Sequence, residues 1–407
     1  MQASGTIAAH VPPDLVRTCP LFDRVASTES PYESMIPAIH ADYPRVSYVT
    51  NIFPGKRPGW MLKRAEDVRT LLQDTENFEK RGMGQWSQGI GENWLVIPTE
   101  ADPPEHAHYR KALNEHFTPA KMMGLTDQIR ERARGLIDQF KDRGSCDFIA
   151  DFSESYPVNI VLDLLGLPQA RMREFLRWER DMLHTDDLAV RGNATRAVKN
   201  YLLEEIESRR RVPQDDYITR IFDFDFDGRK WTDDEVLGHC FNLYLGGLDT
   251  VTSLLGLMFQ FLARNPGHQQ QLRDDPKLII VAVEELLRAF APVTSFRICA
   301  KPIMFHGVQF MPGDYVSVAT GLVGRDPLAY DQPDEIRFDR KPSIIALGGG
   351  IHKCLGMHLA RRELQIAIEQ WLAAIPDFRV KDGTDVPFFV GNILHVQRLE
   401  LAWGREC

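Results

Sequence analysis

Residues 347–356 of the chain read LGGGIHKCLG, and the segment MHLARRELQIAIEQWLAAI follows at once. Apolar residues recur in that segment at helical spacing, so a helix is predicted from about residue 357. A cysteine just before a helix lies near unpaired N–H groups and the positive end of the helix dipole, which favour its thiolate. The surrounding glycines allow close approaches that side chains forbid. The stretch therefore predicts a sulfur that faces a large planar cofactor.

This stretch resembles the cysteine-ligand loop of the cytochromes P-450, the haem-thiolate monooxygenases, whose pattern is F-G-x-G-x-H-x-C-x-G. The matching positions are Gly348, Gly350, His352, Cys354 and Gly356. Leu347 stands where an aromatic ring is usual, so its presence is expected to change hydrogen bonding and redox potential at the sulfur. The cysteine alone would favour a buried free thiol, but five spaced matches, together with the distant matches described below, reverse that preference. The resemblance implies haem b as cofactor, with the Cys354 thiolate as axial ligand.

The composition is that of a soluble globular protein, with 43% apolar and 26% charged residues and a net charge of −9 over 407 residues. The acidic balance argues against nucleic acid as a partner. Six scattered cysteines without a C-x-x-C pair predict a reducing compartment and no disulfide framework. The N-terminus shows no signal peptide, and polar residues interrupt the apolar stretch 241–263. We therefore expect a cytoplasmic protein without a membrane span.

Turn-rich stretches with strand signals lie at about 46–64, 298–320 and 388–403, whereas helical patterns dominate from about 66 to 290. No linker, low-complexity stretch or repeat separates these regions. The predicted fold class is mainly α with small β-sheets, and residues 1–407 are expected to form a single domain. The resemblance implies the cytochrome P-450 fold, a triangular prism with a long central helix over the haem.

That long helix is predicted to begin at the capping box 232–235 and contains Gly246-Gly247-Leu248-Asp249-Thr250. Two glycines inside a helix cost about 1 kcal/mol each against alanine, so something needs space there. A close helix crossing with a hydrogen-bonded Asp is the alternative explanation. The segment resembles the family's oxygen-binding pattern [AG]-G-x-[DE]-T. The resemblance implies that Gly246 lies beside the cofactor, Thr250 steadies bound oxygen and Asp249 relays protons.

Glu285-Leu286-Leu287-Arg288 places opposite charges one turn apart on a predicted helix. Such pairs are common on surfaces and are worth a few tenths of a kcal/mol. At this place in the chain the segment also matches the family's E-x-x-R, which locks with a later arginine. Arg337, in EIRFDR, occupies the place of that arginine. The resemblance implies that Glu285, Arg288 and Arg337 hold the cysteine loop in register.

Haem propionates need cationic or hydrogen-bond-donating partners. His106 and Arg110 lie four residues apart on a helix predicted to begin at Asp102-Pro103-Pro104, with Asp102 as its capping acid. They resemble the family's H-x-x-x-R pair. Arg297 and His352 match two further propionate contacts. A solvated charge is the alternative for each of the four alone, and their joint placement favours the propionate role.

Electrons are expected from a separate protein, since the chain contains no flavin-binding or cluster-binding segment. The resemblance covers essentially the whole chain and points to the bacterial camphor-hydroxylase branch, through segments such as GGLDT, DPPE, HGVQ, HLARRE and IPDF. It implies a [2Fe–2S] ferredoxin with a separate NADH-dependent reductase. Lys353, Arg361 and Arg362 would form either a docking patch for it or a solvated helix face. A monomer is the family default.

The stretch 82–94 holds four glycines and two tryptophans without periodicity, which predicts a substrate lid over about 82–95. Whether the lid is open or closed is left open by the sequence. Alignment with the branch also gives a substrate pocket, with core packing as the alternative for most of its members. The expected pocket residues are Trp86, Trp94, Val96, Asn242, Leu245, Val293, Ser295, Asn392 and Ile393.

Three pocket positions depart from the branch. Trp94 replaces a tyrosine that donates to the substrate ketone, although an indole N–H can still donate. Asn242 stands at an aliphatic position, and Asn392-Ile393 replace two aliphatic residues. Camphor is therefore disfavoured. The expected substrate is a small hydrophobic ketone, a terpenoid or norisoprenoid of ionone-like size.

The expected activity is hydroxylation of an unactivated C–H bond with O2 and two electrons. A peroxide-driven peroxygenase is one alternative, but it would not need the Asp249–Thr250 pair. A haem-binding or sensing protein without turnover is another, although the chain shows no regulatory domain. A helical protein without haem would require every match to be coincidental.

Overall fold

The structure, a computed structural model, describes residues 7–404. About half of the chain is helical, and the strands are short. The α-helices are α1 Met35–Asp42, α2 Ala65–Gln73, α3 Glu105–Asn114, α4 Pro119–Gly124, α5 Thr126–Ile137, α6 Ser155–Leu165, α7 Met172–Leu183, α8 Leu188–Arg211, α9 Tyr217–Ile221, α10 Asp233–Leu248, α11 Thr250–Arg264, α12 Pro266–Asp274, α13 Ile279–Ala289, α14 Thr320–Gly324 and α15 Met357–Ala374. The strands are β1 Val16–Arg17, β2 Val25–Ser27, β3 Val46–Phe53, β4 Arg57–Leu62, β5 Phe78–Glu79, β6 Ser145–Asp147, β7 Asp225–Phe226, β8 Arg229–Lys230, β9 Thr294–Cys299, β10 Ile303–Phe305, β11 Val308–Phe310, β12 Tyr315–Ala319, β13 Phe378–Val380, β14 Phe388–Val390, β15 His395–Val396 and β16 Glu400–Trp403.

The strands form one larger sheet and several small ones. The larger sheet has the order β1-β3-β4-β12-β9-β5, in which β1–β3 and β4–β12 are parallel and the other neighbours antiparallel. The hairpin predicted at 46–64 is β3–β4, and Gly55 at its turn has φ +74°. The stretches 298–320 and 388–403 also carry strands, as predicted. The mainly α class with small sheets is therefore confirmed.

The predicted long helix is present as two segments, α10 and α11, which meet at Asp249. Its start is the predicted capping box: the Thr232 hydroxyl accepts from the Glu235 N–H, and the Glu235 carboxylate accepts from the Thr232 N–H. The 32-residue span Asp233–Arg264 could cross a membrane by length and composition alone. However, 67% of its apolar window is buried inside the protein, as expected of a core helix.

Other elements pack along both segments of the long helix. α6, α7 and α8 contact α10, while α12, α15, β13 and β15 contact α11. One large apolar cluster surrounds these helices, and a second lies against the six-stranded sheet. α15 packs on α5 and α13, and the 3₁₀ turn Gly350–His352 packs on α2. The segment 347–356 is thereby held between α15 and α2.

Among residues 7–404 the five cysteines are free, in agreement with the absence of a disulfide framework. Cys19, Cys146, Cys240 and Cys299 are buried, and burial raises the pKa of each thiol. The sixth, Cys407, lies outside the described residues. Buried thiols of this kind behave as small apolar side chains.

Candidate active site

The cysteine loop is a tight turn that only glycine permits. The Cys354 N–H donates to the Leu347 carbonyl across 2.9 Å and closes the loop. Gly348 and Gly350 have φ values of +73° and +61°. A Cβ on Gly350 would also lie 2.1 Å from the Leu72 carbonyl oxygen of α2. The loop therefore depends on glycine both for its backbone conformation and for its contact with α2.

Cys354 is half-buried three residues before Met357, the first helical residue of α15. Burial raises the pKa of its thiol, while the Gly356 N–H and the guanidinium groups of Arg110 and Arg361 act in the opposite direction. The neighbours favour the thiolate, as the sequence suggested, but burial outweighs them in the protein alone. Coordination of the sulfur to a metal ion would supply the missing stabilisation, because a coordinating thiol is deprotonated.

Beside this loop lies a cluster of basic side chains whose neighbouring carboxylates, Asp102 and Glu100, accept from backbone N–H groups instead. The rings of His106 on α3 and His352 are 4.4 Å apart between centroids. Nε2 of His106 and both ring nitrogens of His352 are buried without a hydrogen-bond partner among residues 7–404. Arg297 is 3% exposed and, within the described residues, its side chain donates only to the Phe296 carbonyl at 3.0 Å. Within the described part of the chain, Arg110 forms no hydrogen bond or ion pair.

The sequence reasoning missed one member of the cluster, Lys80, whose side chain is 6% exposed. Burial and Arg297 hold its pKa well below the usual lysine range. Burial also lowers the pKa of His106 to about 4, that of Arg297 to about 10, and that of His352 still further from its usual value. In the FEKRGMG context of Lys80, no pattern distinguishes it from a solvated surface lysine.

Asp102 is the carboxylate near this cluster, at 4.0 Å from Nε2 of His352. Its side chain accepts the backbone N–H groups of Lys80 and Arg81. The expectation that Asp102 caps α3 is therefore wrong, because its carboxylate oxygens accept from the N–H groups that follow β5 and not from those of α3. Buried basic groups that lack close ion-pair partners are costly, so the cluster suits a bound dianionic group. The two propionates of haem fit that requirement.

The helix α10 presents an open face to the interior. Residue Gly246 is exposed although its helix is buried, and a Cβ built on it would meet no atom within 4 Å. Gly247, in contrast, packs closely on Val161, whose Cγ2 would lie 2.7 Å from such a Cβ. At Gly356, beyond the cysteine, a Cβ would also meet nothing within 4 Å. The open space at Gly246 and Gly356 suits a flat cofactor.

Asp249 and Thr250 occupy the junction of α10 and α11. The Thr250 hydroxyl donates to the Gly246 carbonyl at 2.9 Å. One Asp249 oxygen lies 3.0 Å from Nε2 of His184, and the other accepts from the Ser253 hydroxyl at 3.1 Å. Burial would raise the pKa of Asp249, but His184 and the other partners outweigh it and lower the pKa. The acid is thus ionised and held in place.

The predicted Glu285–Arg288 pair on α13 is a fully buried, two-point ion pair with both N···O distances at 2.8 Å. Arg288 also donates to the carbonyls of Gly324, Pro333 and Glu335. It thereby ties α13 to the irregular segment 324–340, which leads towards the cysteine loop.

The expectation that the Arg337 side chain completes the Glu285–Arg288 cluster is wrong. Only its backbone N–H donates to Glu285, at 3.1 Å, and its buried Nε has no hydrogen-bond partner among the described residues. The side chain that completes the cluster is Arg340, whose Nε donates to Glu285 Oε1 at 3.1 Å. Both arginines lie in IRFDR, three residues apart, so the motif alone did not decide between them.

The lid is held by charged side chains from α8 and from residue 100. Arg191 stacks on the Trp86 ring, 4.1 Å from its centroid, and donates to the Gly84 carbonyl. The Glu100 carboxylate accepts from the N–H groups of Gly84 and Val96. In this structure the lid therefore lies against α8.

The indole N–H of Trp94 donates to Glu92 at 2.7 Å, and Lys199 of α8 pairs with the same carboxylate at 2.5 Å. The expectation that this N–H is free for a substrate ketone is therefore wrong. Asn392 is also committed elsewhere: its Oδ1 accepts from Arg24 at 2.7 Å and its Nδ2 donates to the Ile52 carbonyl. Neither polar group can contact substrate without first losing these partners.

The other expected pocket residues divide into two groups. Val96 and Ile393 are buried, as are the two tryptophans, whose rings contact Phe241. The half-buried members, which keep accessible surface, are Asn242, Leu245, Val293 and Ser295. The Asn242 side chain accepts from the Thr99 hydroxyl at 2.6 Å through Oδ1, and its NH2 group donates to no other residue among 7–404.

Comparison with known proteins agrees with this site. The family model described as cytochrome P450 matches residues 158–280 and 277–394. A probable cytochrome P450 127A1 of Sinorhizobium fredii is 37% identical over 98% of both chains. A steroid C26-monooxygenase of Mycolicibacterium smegmatis is 30% identical over 72% of this chain and 76% of its own length. The chain belongs to the cytochrome P450 family.

Solved structures give the same result. The crystal structure of CYP101J2 superposes with a TM-score of 0.86 at 28% identity and covers 98% of this chain and 100% of its own. That of CYP101C1 gives a TM-score of 0.85 at 31% identity with the same coverage. These neighbours support the resemblance to the camphor-hydroxylase branch. As a cytochrome P450 the chain is a monooxygenase that uses haem with a cysteine thiolate ligand, and its cationic cluster and open glycine face fit that cofactor.

Proposed function

We propose that this cytochrome P450 hydroxylates a small hydrophobic ketone, a terpenoid or norisoprenoid of ionone-like size. The observation that carries the proposal is the open face of α10, where Asn242 stands one turn before Gly246 and Leu245 directly precedes it. An open helix face with one amide donor beside it suits a compact apolar molecule with a single acceptor oxygen. The amide of Asn242 takes the donating role that the indole of Trp94 cannot fill.

Each of the remaining site residues has a role in this proposal. Cys354 is the axial ligand, in a loop shaped by Gly348 and flanked by Gly356. The propionates are held by His106, Arg110, Arg297 and His352, the group to which Lys80 is added here. Haem, when bound, supplies the activation of O2. Thr250 holds a hydroxyl at the open face beside Gly246, and Asp249 moves protons towards it.

The proposed electron donor is a [2Fe–2S] ferredoxin with a separate NADH-dependent reductase. The expected basic patch is smaller than its sequence suggests, because Arg361 forms a two-point ion pair with Glu284 at 2.6 and 3.0 Å. Arg362 donates to the Thr126 hydroxyl, and Lys353 remains exposed. A partner that docks here therefore depends most on Lys353. We further propose a single-domain, cytoplasmic monomer without a membrane span.

A spectral titration tests the substrate class. Camphor, α-ionone, β-ionone and linear terpenoids are added to the ferric enzyme, and the low-spin to high-spin change is followed. The ionones are expected to produce the change at lower concentration than camphor. Asn242→Leu should weaken ionone binding by about tenfold, the value of one hydrogen bond to a buried donor. A change with camphor alone, or equal ionone binding by Asn242→Leu, would overturn the proposal.

The pairing of Asp249 favours O2-dependent turnover over the peroxygenase alternative. Peroxide already carries the protons and electrons, so a peroxygenase has no need of a held carboxylate at this position. Product formation driven by NADH through a ferredoxin, with little from added peroxide, is the expected result. The same measurement separates an enzyme from a haem-binding sensor, which would form no product from either source.

A further inference from the structure

A buried cluster of titratable side chains surrounds Asp249, and the proposed function uses only one of them. Glu179 lies on α7, and His184 follows the end of that helix. Ligand atoms of Glu179, His184 and Asp249 lie within 4.8 Å of one another. The ring of His184 also contacts that of His395 on β15, with centroids 4.6 Å apart. Four titratable groups from α7, the α10–α11 junction and β15 thus meet inside the protein.

Within this cluster, Glu179 is the side chain whose burial the proposed function does not explain. It is 4% exposed, and its Oε1 is buried without a hydrogen-bond partner among residues 7–404. An ionised carboxylate in this position would be costly, whereas a neutral acid is tolerated. The titratable and charged groups that face this cluster are Arg180, His184, Glu154, Tyr244, Asp249 and His395.

These surroundings shift the pKa values of the Glu179 and Asp249 carboxyl groups in opposite directions. Burial is the main cause that raises the pKa of Glu179, the charge of Asp249 adds to it, and Arg180 only partly opposes it. His184 and Ser253 instead lower the pKa of Asp249. Burial lowers the pKa of His395 to about 4, so that ring is neutral. The result is a neutral acid next to a carboxylate, the arrangement in which two carboxyl groups share one proton.

We propose that Glu179 is protonated at neutral pH and passes its proton to Asp249, so that the proton relay contains two carboxyl groups. The O–H bond of Glu179 breaks, a bond to a carboxylate oxygen of Asp249 forms, directly or through one water molecule, and no electrons are transferred. Glu179 regains a proton from solvent by way of Glu154, which is half-buried and faces the same cluster. Glu179 acts through Asp249 and is therefore a positioning residue. The inference rests on the proposed function, in which Asp249 relays protons.

Infrared spectroscopy of the holoenzyme tests the protonation state without turnover. A neutral carboxylic acid gives a C=O absorption that shifts in D2O, and Glu179→Gln should remove one contribution at pH 7. The matched control is Glu363→Gln on α15, since Glu363 is equally buried, with its pKa raised to about 8. It should remove a different contribution. If Glu179→Gln leaves the carboxylic acid absorption unchanged, Glu179 is ionised and the inference fails.

Turnover tests the proton transfer itself. Glu179→Gln keeps the shape and neutrality of the acid, but a glutamine amide cannot release a proton to Asp249. Product formation should fall about tenfold or more, with a larger solvent isotope effect and unchanged substrate-induced spin change. Wild-type activity should decline as rising pH ionises Glu179, and the variant should lack this decline. Glu363→Gln should behave like the wild type.

Three results would overturn the inference: wild-type coupling in Glu179→Gln, a retained alkaline decline in that variant, or stoichiometric Zn²⁺ binding that the variant loses. The last would mean that Glu179, His184 and Asp249 form a metal site. Failure of the proposed function is distinguishable, because the wild type would then form no product from any ketone while the infrared result is unaffected.

Discussion

Arg340 is the side chain that joins the segment before the cysteine loop to α13. Its Nε donates to the fully buried Glu285, and its Nη groups donate to carbonyls of residues 331–335. Removing it weakens the pairing of a buried carboxylate, which is costly because no water replaces the lost donor. A single arginine thus contributes both to stability and to the placement of the haem ligand.

Arg340→Leu should lower the free energy of unfolding by about 2–3 kcal/mol and reduce haem retention, as measured by denaturant titration and haem content. The matched control is Arg337→Leu, because the buried Nε of Arg337 has no partner in the described chain. That variant should cost less than about 1 kcal/mol. Equal losses in the two variants would contradict the assignment.

Thr250→Ala should uncouple the enzyme: NADH oxidation continues, product falls and peroxide accumulates, because the hydroxyl at the open face is lost. Thr252→Ala is the control, since the Thr252 hydroxyl bonds the Ser153 and Leu248 carbonyls instead. Product, NADH and peroxide measured together give the coupling. Unchanged coupling in Thr250→Ala, or equal uncoupling in both variants, would contradict the role of Thr250.

At the scale of single residues, the sequence predicted which motifs are present but not which partner each side chain contacts. The Glu285–Arg288 pair followed from spacing on one helix. The choice between Arg337 and Arg340 depended on how an irregular segment turns, which no periodicity encodes. Lys80 and Asn392 likewise depended on which partner a side chain meets after folding. Such contacts are set by tertiary packing rather than by local pattern.

At the scale of elements, the cysteine loop and α2 are fitted to each other through Gly350. Gly350→Ala places a Cβ against the Leu72 carbonyl and requires an unfavourable positive φ, so it should cost well over about 1 kcal/mol and lower the haem content. Gly349→Ala is the control, because its Cβ would meet only the flexible Leu72 side chain at 3.1 Å. Haem content per protein measures both. Equal haem content in the two variants would contradict the loop geometry.

α10 is anchored to the segment after the lid by His239, whose Nδ1 contacts the Ile97 carbonyl and whose Nε2 contacts the Tyr217 hydroxyl. Burial lowers the pKa of His239 to about 4. An unfolded histidine takes up a proton below about pH 6.5, whereas the folded one does not until about pH 4. The contribution of neutral His239 to the free energy of unfolding is complete above pH 6.5 and is lost as the pH falls, by roughly 3 kcal/mol at pH 4.

His239→Gln should reduce this dependence, since glutamine does not titrate. Denaturant unfolding of both proteins between pH 7 and pH 4 measures the slopes. A variant with the wild-type slope would contradict the role of His239.

The capping box and the β3–β4 hairpin were predictable because their signals are local. The junction at Asp249 was not, because it depends on His184 and Ser253 as partners.

At the scale of the whole molecule, the five matches in the cysteine loop predicted the fold class together with distant segments that matched at consistent places in the chain. The long helix, the E-x-x-R helix and the cysteine loop all serve one cofactor, so their order along the chain constrains the architecture. Substrate preference is different. In the proposed function it depends on a few half-buried side chains, such as Asn242, whose hydrogen bonds only the folded chain reveals.

The central claim is that Cys354 is the thiolate ligand of haem in this enzyme, and the carbon monoxide spectrum of the reduced protein tests it most directly. We predict a red-shifted Soret band for the wild type, and loss of that shift in Cys354→His while the protein remains folded. A wild-type band without the red shift, or a shift that persists in Cys354→His, would contradict the claim.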